Sequence, residues 1–240
     1  LSAPGMASSL SVPLHNPSAH LRTVKVQEWT GQAADEGDEA AAWLTKALGD
    51  IPCRLVRYVG ADHEKFQGQT VVRPVDPDYA SGFETALADA FPFLLANQAS
   101  LDDLNARLAA SDSTGANLAP LPITRFRPNF FVSGLAAWEE DQWRTVRFLP
   151  EGELPIQLTS VKPADRCKVT TVDPLDATFS DGEPLDILST FRKGSDLGYK
   201  AKSFKHAVFF AWNLVAAPEC RGRVVKVGDT VDFSEAQHHF

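Results

Sequence analysis

Lys162-Pro163-Ala164-Asp165-Arg166-Cys167-Lys168-Val169-Thr170-Thr171-Val172-Asp173-Pro174 is the stretch on which the reading of this chain turns. Cys167 stands between two cations, Arg166 and Lys168, at the head of a β-branched run. Cationic neighbours favour the thiolate, the form of cysteine that binds soft metals. Val169, Thr170, Thr171 and Val172 favour extended backbone, so the run predicts a strand over residues 167–172. By itself a single cysteine reads equally as a small buried hydrophobe, and its surroundings must decide.

Working outward, apolar and polar residues alternate or cluster at strand length in residues 24–29, 53–59, 93–96, 129–133, 143–148 and 156–161. Many short strands at such spacing predict a barrel or sandwich. Residues 206–216 form an apolar run holding Trp212 and Asn213, and residues 223–233 read as a terminal hairpin turning at Gly228-Asp229. Helical spacing of Ala40, Trp43, Leu44, Ala47 and Leu48 predicts a helix over 38–48, stopped by Gly49. Leu101, Leu104 and Leu108 predict another over 100–110, with Ser100 as N-cap and Asp103 completing the capping pattern. A short helix is predicted over 184–192, with Asp181 as its cap. Residues 63–83 and 111–121 read as loops.

The chain has 240 residues, 44% of them hydrophobic, enough for one large β-rich domain or two small ones. Its net charge of −8 argues against nucleic acid as a partner. No stretch approaches the roughly 18 apolar residues of a membrane span. Three widely spaced cysteines do not form a disulfide framework, which points to a reducing intracellular compartment, cytoplasm or organelle. Cys53 reads as core and Cys220 as a loop thiol. His15, His20, His63 and His206 show no ligand spacing with cysteine, and His238 and His239 fall in a tail, residues 236–240, read as disordered. No dinucleotide fingerprint, phosphate loop or nucleophile elbow is present.

The cysteine run resembles that of MOSC-domain proteins, in the branch that contains the mitochondrial amidoxime-reducing component. Arg125-Phe126-Arg127-Pro128-Asn129 and Gln98-Ala99-Ser100-Leu101-Asp102-Asp103-Leu104-Asn105 match other family segments in order. So do Gly37-Asp38-Glu39-Ala40-Ala41-Ala42-Trp43-Leu44 and Val225-Lys226-Val227-Gly228-Asp229-Thr230-Val231. The likeness runs from about Val24 to Phe233. It implies an α+β, β-rich fold: a MOSC-type β-barrel with peripheral helices over 66–235, and over 1–65 the remainder of a β-barrel-like N-terminal domain. It also implies that this chain is a fragment or incomplete gene model, without opening strands that carry a Lys-Ser segment and a later Arg. Such a chain is expected to hold cofactor poorly.

The resemblance implies a molybdenum-molybdopterin cofactor, with the Cys167 thiolate as metal ligand and catalytic centre. It places cofactor contacts at Ser100, Arg127 and Asn129, and more weakly at Asp165 and Asn213. Read from chemistry alone, Ser100 is a plain helix cap, although a helix N-terminus also suits an anion. Arg127 is a surface ion-pair residue or a planar clamp on an anionic edge, extended by the proline that follows it. Asn129 can simply end a turn. Asp165 would repel an anionic cofactor. Phe210-Ala211-Trp212-Asn213 matches a family segment that usually reads Phe-Gly-Gln-Asn, so the close backbone approach of that glycine is missing here. The implied function is reduction of N-hydroxylated substrates, amidoximes or hydroxylamines, with electrons from a separate donor of cytochrome b5 or ferredoxin type. The alternative is a cofactor carrier or sulfurase-type binding module without turnover; Thr170-Thr171-Val172-Asp173-Pro174 favours the reductase branch. A third reading is a folded fragment that retains no cofactor.

Overall fold

The computed structural model describes residues 1–15, 20–60, 72–111, 120–200 and 202–235. The chain divides into two compact units, Leu1–Ala90 and Phe91–Phe240.

In the first unit β1 (Leu21–Val26) and β2 (Trp29–Asp35) form an antiparallel hairpin, and β3 (Val56–Arg57) adds to β2. The single strand expected over 24–29 is therefore the hairpin's bend: Val26 pairs with Trp29 and Gln27 takes φ +52° between them. Helix α1 (Asp38–Ala47) starts on the acidic pair Asp38 and Glu39 and carries Lys46 in its last turn, matching the helix dipole at both ends. Of the strand expected over 53–59 only two residues pair. The chain before them diverges so that the Arg54 guanidinium reaches the buried carboxylate of Asp35 at 2.6 and 2.9 Å. Arg54, with Arg22 on the same carboxylate, holds Asp35 well below the usual carboxylate range.

Helix α2 (Pro77–Ala80) is capped by Asp76. The buried Arg73 guanidinium donates to the carbonyls of Ala86 (3.1 Å), Ala88 and Asp89, and the Tyr58 hydroxyl donates to Glu84 at 2.8 Å. The Tyr58 bond ties residues 72–90 to the first unit, and the boundary expected at 65/66 falls within residues 61–71, outside the described ones.

The second unit is a six-stranded sheet ordered β5-β4-β8-β7-β6-β9. Its strands are β4 (Phe93–Asn97), β5 (Phe130–Val132), β6 (Trp143–Leu149), β7 (Ile156–Asp165), β8 (Phe209–Ala216) and β9 (Thr230–Glu235). Only the β4–β5 pair is parallel. The sheet curls into a nearly closed barrel, so that Phe130 of β5 meets Phe148 of β6 with ring centroids 4.6 Å apart. Leu95, Val132, Val146, Phe148, Ile156, Leu158 and Leu214 fill the interior. The apolar run 206–216 becomes the central strand β8, buried on both faces.

Helix α3 (Gln98–Ala109) covers the outer face. Its Leu101, Leu104 and Leu108 pack on Ala96, Phe126 and Phe210, and the two phenylalanine rings stack at 4.0 Å. The helix begins earlier than expected: Asn97, not Ser100, is the N-cap, its side chain accepting from the Ala99 amide at 3.1 Å. Helix α4 (Leu185–Leu188) is shorter than expected, with Pro184 rather than Asp181 at its cap position. The terminal hairpin is also revised. Residues 223–229 form no strand, and β9 alone pairs with β6 after a turn closed by the Asp229 side chain on the Lys226 amide at 2.7 Å. The fold is thus β-rich α+β with peripheral helices, and the tail 236–240 lies outside the described residues.

Candidate functional site

Cys167 sits just beyond the end of β7, exposed, with an unpaired thiol. The residues after it do not continue as a strand. They form a 3-10 turn, Lys168–Thr171. The threonines that favoured a strand close the turn instead: Thr170 Oγ1 donates to the Cys167 carbonyl at 2.9 Å and Thr171 Oγ1 to the Lys168 carbonyl at 2.8 Å. Val172 then bridges to Phe179, and Asp173 heads a tight loop.

A buried arginine clamps this loop from within. Arg125 Nη1 donates to the Thr171 carbonyl (2.9 Å) and to Ser180 Oγ (3.2 Å), and Nη2 to Asp173 Oδ2 (3.0 Å). The Arg125 side chain is 4% exposed, so the pair with Asp173 is largely shielded from solvent. A second link runs from the other side of the cysteine. Arg166 Nη2 donates to the Phe126 carbonyl at 3.0 Å, and its guanidinium lies over the Phe126 ring. Residues 125–126 therefore hold both flanks of Cys167, and this places Arg127 beside the cysteine segment. Arg127 is exposed, and among the described residues its guanidinium has no hydrogen bond or ion pair. Its backbone is not extended, as Pro128 led one to expect, but left-handed at φ +56°.

Asn129 lies where β5 meets β4: its amide donates to the Leu94 carbonyl and its Oδ1 accepts from the Leu94 amide, both at 2.8 Å. Leu94 pairs in turn with Asn213 of β8, and Asn213 with Lys162 of β7. Asn129, Leu94, Asn213 and Lys162 thus form one row, from the residue before β5 across β4, β8 and β7. The half-buried Asn213 side chain has no hydrogen bond among the described residues. Asp165 is exposed and paired with Lys162 Nζ at 2.9 Å, so its charge is already met within its own strand. From Lys162 to Cys167 is five residues, or roughly 15 Å of extended chain, so these groups suit an elongated ligand. Ala211, at the position where the resemblance implies glycine, takes φ +73°, a conformation glycine favours.

Residues 83–232 match the family model described as MOSC domain, and residues 1–51 match the MOSC N-terminal beta barrel domain. The chain belongs to the MOSC domain family. This MOSC chain is 35% identical over 198 residues to a zebrafish (Danio rerio) protein named mitochondrial amidoxime-reducing component 1, covering 80% of this chain and 53% of that protein. The mouse (Mus musculus) protein of the same name is 33% identical over 76% of this chain and 48% of its own length. The human (Homo sapiens) one is 29% identical over 92% and 59%. The MOSC chain spans about half the length of the curated relatives it matches.

Ser100 makes its side-chain hydrogen bonds away from the cysteine segment of the MOSC unit, to Glu140 and Trp138. It is fully buried in the first turn of α3, where its hydroxyl donates to Glu140 Oε2 at 2.8 Å and accepts from the Trp138 amide at 2.7 Å. Asn97 Nδ2 also donates to Glu140 Oε2, at 3.0 Å. Ser100 is thus a buried joint between the start of α3 and the chain before β6. Burial pushes the Glu140 carboxyl above its ordinary value, against the hydrogen bonds from Asn97 and Ser100 that hold it down and with the charge of Asp141 adding to the rise. The native state then keeps the Glu140 proton to higher pH than the unfolded chain. Stability falls as pH rises from the ordinary carboxyl value of about 4.3 to the raised native one. Urea midpoints of Glu140→Gln should gain on wild type as pH rises above the ordinary carboxyl range. A difference constant over that rise contradicts this.

Sequence reasoning missed Arg125 and Glu140. Arg125 stood in the quoted Arg-Phe-Arg-Pro-Asn motif, two residues before Arg127, and Asp173 closed the quoted cysteine run. Their pairing across 48 positions left no local signal.

Proposed function

We propose that this chain is a molybdenum-cofactor oxidoreductase that reduces N-hydroxylated substrates such as amidoximes and hydroxylamines. The observation that carries the reading is the exposed Cys167 thiol, with Arg127 next along the chain from the Phe126 carbonyl that holds Arg166, in a MOSC unit whose relatives are named amidoxime-reducing components. Among the described residues no group of three or more His, Cys, Asp and Glu side chains gathers. A metal held by Cys167 would draw its other ligands from the organic group that carries it. The thiol fits that demand as a soft anionic ligand. Arg127, the amide of Asn213 and the Nδ2 of Asn129 fit the polar, anionic edges of such a group, whereas buried Ser100 and ion-paired Asp165 do not.

When bound, the cofactor supplies two-electron chemistry at the N–O bond. Conversion of an amidoxime to an amidine breaks that bond, consumes two electrons and two protons, and releases water. A separate donor protein, of cytochrome b5 or ferredoxin type, supplies the electrons. The residues of the chain ligate, orient and balance charge: Cys167 at the metal, Arg127 and the two asparagines along the cofactor, and Arg125 beneath the loop. The relatives' names suit an organelle as the site of action.

Cofactor-loaded protein with benzamidoxime and chemically reduced viologen dye should form benzamidine. Absence of product from protein with bound molybdenum overturns the reductase reading. Arg127→Lys should weaken cofactor retention by roughly ten- to hundredfold, because a point charge does not replace the planar fork. Unchanged retention in a competition with excess apo-protein returns Arg127 to an ordinary surface cation.

A further inference from the structure

The chain carries 31 acidic and 23 basic side chains, yet one segment has the opposite balance. Residues 193–206 hold Lys193, Lys200, Lys202 and Lys205 against the single acid Asp196. Lys200, Lys202 and Lys205 are exposed and Lys193 is half-buried; among the described residues none of the four has an ion pair or hydrogen bond through its side chain. Four unpaired lysines in one segment of an acidic protein make a local field of the opposite sign.

The segment is braced. Buried Phe204 packs edge-on against Tyr199 and Phe209, with ring centroids 5.9 and 5.3 Å apart. A Cβ at Gly194 would fall 2.1 Å from the Phe204 carbonyl oxygen, so the two backbones meet as closely as glycine allows. Gly194, Tyr199 and Phe204 thus anchor the segment to the body of the unit on either side of its lysines.

The braced segment is continuous with the cysteine segment. Lys162 of β7 lies over the Phe204 ring, with Nζ 5.3 Å from its centroid. Lys193 bridges to Val208, whose carbonyl accepts the Arg166 amide at 2.8 Å. Lys193 and Arg166 thus lie on neighbouring backbones about 10 Å apart, two strand spacings, and Cys167 follows Arg166. Exposed Lys168 follows the cysteine directly and carries the cationic run past it.

We propose that Lys193, Lys200, Lys202 and Lys205 form the docking surface for the electron-donor protein, and that the donor presents an acidic face to them. This rests on the reductase reading, which needs an external donor. Charge complementarity selects the partner: a field of lysines joined through Val208 to the cysteine segment attracts an acidic redox protein, orients it there, and speeds encounter.

The test uses the full chain and the variant Lys200→Glu/Lys202→Glu/Lys205→Glu, with an acidic cytochrome b5-type haem domain as probe. Binding to wild type should weaken at least tenfold between about 20 and about 200 mM salt. The triple variant should lose at least tenfold in affinity at the lower salt, and the Lys→Arg triple should keep it. Viologen-driven reduction of benzamidoxime should be the same in all three proteins. That separates docking from the chemistry: failure of the viologen assay in wild type removes the reductase reading, while haem-domain affinity still decides the docking surface. Salt-insensitive binding, no binding, or unchanged affinity in the Glu variant overturns the proposal. So does loss of binding to anionic lipid vesicles with haem-domain affinity unaltered, which would assign the lysines to a membrane.

Discussion

Cys167→Ala should empty the protein of molybdenum and leave its fold unchanged. The thiol is exposed and makes no side-chain hydrogen bond among the described residues, so its removal should change stability by no more than about 0.5 kcal/mol. What it removes is the one soft anionic ligand in the segment. Elemental analysis of purified wild type and variant, with circular dichroism on the same samples, reads both effects. Cys53→Ala and Cys220→Ala serve as controls. Cys53 lies in the first unit, and the Cys220 thiol donates to the Gln157 carbonyl at 3.4 Å while packing on the barrel interior. Both should keep wild-type metal. Wild-type molybdenum in Cys167→Ala sinks the ligand assignment.

Arg125→Met should be the most damaging single change to the cysteine loop. It leaves the Asp173 carboxylate, the Thr171 carbonyl and the Ser180 hydroxyl without their shared donor. Removing one partner of a buried pair costs about 3–5 kcal/mol, and the partial exposure of Asp173 puts this case toward the lower end. The loop should also move. Cys167 in the variant should react with a small alkylating reagent at a rate several-fold different from wild type under native conditions, while Cys220 reacts as before. Asp173→Asn keeps a hydrogen-bond acceptor for Arg125 and should fall between the two in stability. Wild-type stability together with wild-type Cys167 reactivity in Arg125→Met contradicts the clamp.

What the sequence made legible follows from how local each signal is. The apolar run containing Phe210, Trp212 and Leu214 stands out in the sequence, and it folds as β8, buried on both faces. Leu101, Leu104 and Leu108 recur at helical spacing and do face the core from α3. Turns were harder. Gln27-Glu28 bends the first hairpin without the glycine or asparagine that usually marks such a turn. Thr170 and Thr171 have strand propensity, yet their hydroxyls bond back three residues and coil the chain. Ser100 and Asp103 matched a capping pattern three residues inside the helix that Asn97 caps. The site is the least local feature of all. The run around Cys167 and the segment from Arg125 to Asn129 were each visible, but the Arg125–Asp173 pair and the Arg166–Phe126 bond that join them are contacts of the fold.

Molybdenum K-edge absorption spectroscopy on the cofactor-loaded chain, compared with loaded Cys167→Ser, measures the central claim directly. The account predicts that the sulfur shell around molybdenum in wild type loses one scatterer in the serine variant and gains an oxygen or nitrogen. An identical sulfur shell in the two proteins would contradict it.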